Sequence, residues 1–287
     1  MSIVSMILGE SGTGKSASLR HLSPADTLLI QGIAKPLPFR AKDWRAFHKE
    51  HCPQGNIVAT DSAQTIIRLM QGTQRRVIVI DDFQYIMANE FMRRSKEKGY
   101  DKFMDIGSNA WHILNAAANL PHDKRVYILS HTATDESGRT KIKTIGKMLD
   151  EKITLEGMVT IVLRTQVQDG RYGFVTRNNG SDTTKAPMGL FDSDLIDNDL
   201  AAVDALISDY YDGEDLPAVN EAPKPKADYP QEQLEEHLPQ WQQSGKAPEQ
   251  IISMVSSKYQ LTDAQKAQIR ALQLPQENPR EANHEQG

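Results

Sequence analysis

The chain has 287 residues, a net charge of −5 and a single cysteine, Cys52. That length fits one large α/β domain with a small appendage. The charge excludes a global attraction for nucleic acid and leaves only local basic patches. One thiol excludes an intramolecular disulfide or a cysteine-based zinc site, as expected in a reducing cytoplasm. No apolar run reaches the ~20 residues of a membrane span, and the first apolar segment runs into a glycine-rich loop, so neither an anchor nor a secretory signal is expected.

Ile3 to Leu8 reads as a buried strand, followed by Gly9-Glu10-Ser11-Gly12-Thr13-Gly14-Lys15-Ser16. This G-x-x-x-x-G-K-S pattern behind a strand is the phosphate-binding loop in its required context. Its glycines let successive backbone N–H groups turn inward around phosphate oxygens. Lys15 is expected to reach the β- and γ-phosphates of ATP, and the Ser16 hydroxyl to hold Mg²⁺. Ala17 to Leu22 is predicted as the helix facing those phosphates.

Thr27 to Ile30 reads as a second strand. Lys35 to Arg40 carries two prolines and is a loop, pinned by Trp44 and Phe47. A short strand at Asn56–Thr60 precedes a helix capped by Asp61 or Thr60. Val77 to Ile80 then forms a buried strand ending in Asp81 and Asp82, at the edge where ligands sit in open α/β sheets. Asp81 is the expected second Mg²⁺ ligand. Asp82 is the candidate to orient or deprotonate the attacking water, with capping of a helix at Phe83 as the alternative.

Residues 83–102 mix aromatics with Arg93, Arg94, Lys96, Lys98 and Lys102. The segment suits either single-stranded DNA, through stacking and phosphate contacts, or an amphipathic helix with a solvated basic face. A helix is predicted over 102–119. Arg125 to His131 is another buried strand, whose Ser130 or His131 is placed to touch the γ-phosphate or the attacking water. For His131, capping of the following loop is the alternative. Residues 132–147 read as a long polar loop whose Lys141, Lys143 and Lys147 are candidate DNA contacts.

Two strands flanking Asp169-Gly170 signal a hairpin that adds an antiparallel edge. Arg164, Arg177 and Lys185 are candidates to act in a neighbouring subunit's site, against ordinary surface roles. A last helix is predicted from Leu195 to Tyr211. The expected organisation is an ATPase domain over 1–212, a Pro/acidic linker over 213–229, a small helical module over 230–273 and a disordered tail over 274–287.

Several segments together resemble phage-encoded RecA-like ATPases of the Sak group: the Gly9–Ser16 loop, Ile80-Asp81-Asp82-Phe83-Gln84-Tyr85, Leu129-Ser130-His131-Thr132, Lys143 to Asp150, and Asn178-Asn179-Gly180 with Lys185-Ala186-Pro187. The similarity covers roughly residues 1–212, and its last two segments are the more specific. It implies a RecA-like P-loop NTPase with a mostly parallel sheet. It further implies single-stranded DNA binding through the loops after residues 82 and 131, and a role in phage recombination, annealing or replication. A ring or filament of identical subunits, a single-strand-binding protein as partner and the host cytoplasm as location are part of the same implication. A P-loop kinase for nucleotides or small molecules, and a nucleotide-gated adaptor whose C-terminal helices bind a protein, are the competing readings.

Overall fold

The computed structural model describes residues 1–146, 149, 152–212 and 227–272. The chain divides into two compact units, Met1–Asn220 and Glu221–Gly287. The 213–226 part of the expected linker and the expected tail from residue 274 lie outside the described residues.

The first unit is built on strands β1 (Ile3–Leu8), β2 (Thr27–Gln31), β3 (Ile57–Ala59), β4 (Val77–Asp81), β5 (Arg125–Ser130), β8 (Ile161–Gln168), β9 (Arg171–Val175) and β10 (Leu195–Asp197). They form one sheet in the order β10-β9-β8-β1-β5-β4-β2-β3. Every pairing from β8 to β3 is parallel, while β8–β9 and β9–β10 are antiparallel. The fold is therefore α/β with a mostly parallel central sheet and an antiparallel edge.

Parallel strands need crossovers, which cover both faces and force the strands to be apolar throughout. Met6, Leu8, Ile30, Ile78, Ile80 and Ile128 face one layer, made by α1 (Ala63–Gly72), α2 (Phe83–Arg93) and α3 (Asp101–Ala118). Ile7, Leu29, Val79, Leu129, Leu163 and Phe174 face the other, made by α4 (Leu200–Tyr210), Leu19, Leu22 and the loop carrying Trp44. Successive residues of each strand thus supply opposite cores. The parallel register brings Leu8 beside Ser130 and Gln31 beside Asp81, so the ends of β1, β5, β4 and β2 share one sheet edge.

Several local expectations change. The predicted helix behind the glycine loop is a 3₁₀ segment of 6 residues, Ser16–His21, so little helix dipole faces the loop. The α1 cap is Ser62, whose hydroxyl accepts from Thr65 N at 3.4 Å, while Asp61 is drawn to Arg93 at 2.5 Å. The segment after residue 82 opens with the helix α2, because Phe83, Ile86 and Met87 bury one face of it, and residues 94–100, with Arg94, Lys96 and Lys98, are the non-helical connection to α3. Residues 132–142 form an antiparallel ribbon, β6 (Thr132–Thr134) with β7 (Thr140–Ile142). Leu195–Asp197 extends the sheet, and α4 starts only after Asp199, whose carboxylate accepts from Ala201 N at 3.0 Å and Ala202 N at 3.4 Å. A good N-cap residue overrides the helical spacing of Leu195 and Ile196. Asp169 and Gly170 take φ of 50° and 76°, the left-handed pair that a two-residue hairpin needs.

The second unit packs α5 (Gln231–Gln243), α6 (Pro248–Ser256) and α7 (Asp263–Arg270) around Leu234, Ile251, Val255 and Ile269. Thr262 and Gln265 form a reciprocal capping box at the start of α7.

One polar network ties α4 to the sheet. Asp204 accepts from Arg125 Nε at 2.5 Å, Arg125 Nη2 at 2.9 Å and the hydroxyl of buried Tyr127 at 2.7 Å. Asp204→Ala strands both donors, and the expected loss is about 3 kcal/mol of unfolding free energy in urea titrations. Asp194→Ala, which removes an exposed partner of Arg177, is expected to change stability little in the same assay.

Candidate active site

The glycine loop leaves β1 and closes on itself. Gly12 and Gly14 have φ of 79° and 96°, a region that side chains with a Cβ disfavour. Lys15 lies beneath the loop, donating to the carbonyls of Gly9 at 2.7 Å and Glu10 at 2.8 Å. Burial brings its pKa down to about 8, against the opposing pull of Asp81 and Asp82. A lysine already desolvated and ringed by carbonyls is poised for a stronger anionic partner.

Ser16 donates to Asp81 Oδ2 at 2.8 Å across 65 residues of sequence. The end of β4 therefore meets the glycine loop directly, although β5 lies between β4 and β1 in the sheet. Asp81 has no solvent exposure. Burial, and secondly the neighbouring Asp82, push its carboxyl above the usual range, with the Ser16 hydrogen bond opposing.

Asp82 stands at the N-cap position of α2 but makes no side-chain cap hydrogen bond. It holds the left-handed conformation, φ 60° and ψ 43°, which costs a non-glycine residue about 1 kcal/mol or more. That turn aims its carboxylate away from the helix. Oδ2 forms an ion pair with Lys35, and Oδ1 lies 3.8 Å from His131 Nε2. The capping alternative for Asp82 is thus not realised. Burial, and then the positive charge of Lys15, hold the His131 imidazole below its ordinary pKa.

These groups line one cleft of about 460 Å³, with Ser11, Gly12, Gly14, Lys15, Ser16, Lys35, Asp82, His131 and Tyr172 on its walls. Of the two residues predicted at the end of β5, His131 reaches the cleft. Ser130 is fully buried and turned to Gln84, whose Oε1 accepts from Ser130 Oγ at 3.3 Å and from His131 N at 3.2 Å.

The remaining candidates lie elsewhere. Arg93 pairs with Asp61, and Arg94 with Glu90, Glu97 and Asp105, so these two cations are already balanced. Lys96, Lys98 and Lys143 are exposed, Lys141 is half-buried on β7, and Lys147 lies outside the described residues. Lys143 lines a small hollow with Gln84, Tyr85 and His131, next to the cleft. Arg164 pairs with buried Asp182 at 2.9 Å and Arg177 with Asp194 at 2.8 Å. Lys185 lines a separate groove with Arg177 and Asn178.

Lys35, Thr165 and Tyr172 belong to no motif, and Gln84 enters only within the Ile80–Tyr85 segment, with no role of its own. Lys35 follows the end of β2 within a proline-rich stretch, close to the sheet edge that carries Asp81. Thr165 and Tyr172 reach the loop from the edge hairpin, which no sequence spacing shows. No protein-family model matches the chain, and no curated protein matches it.

The loop's fit to the hairpin is testable. A β-carbon on Gly9 would lie 1.8 Å from Thr165 Oγ1 and 2.8 Å from Thr13 Oγ1. Gly9→Ala is expected to displace the loop and lower Tm by several degrees in a thermal melt. Adding Thr165→Ala removes the nearest atom and is expected to restore part of that stability. An unaltered Tm for Gly9→Ala would show that the loop gives way to the β-carbon at no cost.

Proposed function

We propose that this chain is a Mg²⁺-dependent ATPase of the RecA-like P-loop type that also binds single-stranded DNA. The observation that carries the ATPase reading is the 2.8 Å Ser16–Asp81 hydrogen bond beside Lys15. It joins a phosphate-loop hydroxyl on the cleft wall to the buried acidic end of β4. The donor set fits Mg²⁺, since a hydroxyl and a buried carboxylate are hard oxygen ligands that leave positions for water and phosphate oxygens. Bound there, the ion supplies charge neutralisation for the β- and γ-phosphate oxygens.

The chain's own groups do the rest. Lys15 exchanges its two carbonyl acceptors for phosphate oxygens, and the anion restores its full positive charge. The backbone N–H groups of residues 12–16 are the candidates to hold the phosphates in place. A water between Asp82 and His131 is aligned on the γ-phosphorus. As its oxygen bonds to phosphorus, the bond to the ADP oxygen breaks, and the water's proton passes to Asp82 or to the departing phosphate.

Support for DNA binding comes from the Sak-group resemblance and from placement. Exposed Lys143 follows the β6–β7 ribbon, whose first residue adjoins His131, and Lys143 N donates to His131 O at 2.8 Å. A DNA contact there has a direct route to the cleft. Assembly of several subunits on DNA, in recombination or annealing, belongs to the same proposal.

The test is ATP turnover with and without single-stranded DNA. Lys15→Ala and Asp81→Asn are each expected to lower kcat/KM by about a hundredfold or more, and DNA to raise the wild-type rate. DNA affinity is expected to fall roughly twentyfold between 50 and 200 mM salt if about three phosphates are contacted. Turnover indifferent to Lys15→Ala would overturn the ATPase reading. Phosphate transfer to a nucleoside monophosphate, with DNA inert, would favour a kinase.

A further inference from the structure

We propose that Lys35 is a second lysine for the terminal phosphate, held on Asp82 until a nucleoside triphosphate arrives. The inference rests on the nucleotide reading above and deepens it.

Lys35 is presented by a loop that is itself well anchored. Gln31, buried at the end of β2, donates its side-chain amide to the Lys35 carbonyl at 3.1 Å. Asn89 of α2 donates to Gly32 O at 3.4 Å. Pro36 and Pro38 restrict the backbone on the far side. Leu37 and Phe39 pack onto the second core, with Phe39 edge-on to buried Trp44 at 6.3 Å. From this anchored backbone the Lys35 side chain extends to the cleft. Its four-carbon arm, 41 % exposed, lets the ammonium change partners without moving the backbone.

The ammonium's surroundings define its alternatives. It is ion-paired to Asp82, and it lines the same cleft as Gly12, Lys15 and Ser16. Burial alone would lower its pKa, but the Asp82 hydrogen bond and the charges of Asp81 and Asp82 raise it. The charge of Lys35 also acts on Lys15. Both cations line the one cleft, an arrangement that is repulsive by itself and becomes favourable around a polyphosphate.

The exchange has a consequence for Asp82. While Lys35 holds Oδ2, that oxygen is not available to a water. A terminal phosphate carries more negative charge than one carboxylate and draws Lys35 across, which frees Oδ2 in the same movement. ADP has no group at that position and leaves the ion pair in place. Lys35 is in this way both a contact to the transferred phosphoryl group and the element that distinguishes ATP from ADP. A purely structural lysine, stapling residues 32–40 to the end of β4, would not make that distinction.

The experiment measures affinity of the full chain for ADP and for a non-hydrolysable ATP analogue, each with Mg²⁺, alongside steady-state ATP turnover. Lys35→Met keeps the length and removes the charge. It is expected to lower analogue affinity about tenfold or more while ADP affinity stays within about twofold, and to lower kcat. Lys35→Arg is expected to retain most of the preference. Asp82→Asn is expected to raise analogue affinity, because Lys35 no longer leaves an ion pair, while slowing turnover. An unchanged analogue-to-ADP ratio in Lys35→Met would overturn the inference. An equal loss for both nucleotides with a lowered Tm would also overturn it, in favour of a structural staple. In either case, normal wild-type binding that Lys15→Ala abolishes would leave the nucleotide reading intact. Failure of the wild type to bind either nucleotide would overturn both.

Discussion

A carboxylate without solvent exposure at the tip of an all-apolar strand is the constraint on which the rest of this molecule turns. Asp81 cannot stay ionised there without compensation, since isolating such a charge from water costs several kcal/mol. The compensation in the protein itself is modest: the Ser16 hydroxyl at 2.8 Å and the Asp82 N–H at 3.1 Å. Two neutral donors leave an electrostatic deficit, and Asp82 next door deepens it. Lys15 and Lys35 on the cleft wall offset part of that deficit.

The sheet is what makes this arrangement rigid. Parallel strands buried on both faces end at one edge, so residues far apart in sequence emerge side by side. Strain is placed there as well. The left-handed Asp82 is a cost that the packing of Phe83, Ile86 and Met87 beneath it sustains, and it turns a helix cap into a cleft-facing carboxylate. Gln84, one residue further on, then fixes both the Ser130 side chain and the His131 backbone. One helical turn therefore positions the acid, the histidine and the first residues of the β6–β7 ribbon together.

Much of the core was legible because its signal is local. Uninterrupted aliphatic runs such as Val77 to Ile80 announce strands buried on both faces, and the glycine spacing of residues 9–16 announces a loop open to an anion. Boundaries governed by competing local chemistry were harder to read. Leu195 and Ile196 have helical spacing, yet the sheet edge beside Phe174 and Val175 takes them as a strand. The segment after Asp82 reads equally as a DNA-binding stretch or as a helix; burial of one face makes a helix of Phe83–Arg93, while Lys96 and Lys98 lie exposed beyond its end.

The amino-acid sequence by itself determined the alternation of strands and helices, the glycine loop and the acidic strand end, since each depends on residues adjacent in the chain. Only the tertiary structure decided that Ser16 touches Asp81, that Lys35 rather than solvent faces Asp82, and that Ser130 turns inward while His131 faces the cleft. It also decided that Arg94 and Arg164 are occupied by acids of the chain itself. The physical reason is range. Hydrophobic period and backbone preference act over a few residues, whereas the pairing of charges is set by which strand ends the sheet brings within a few ångströms of each other.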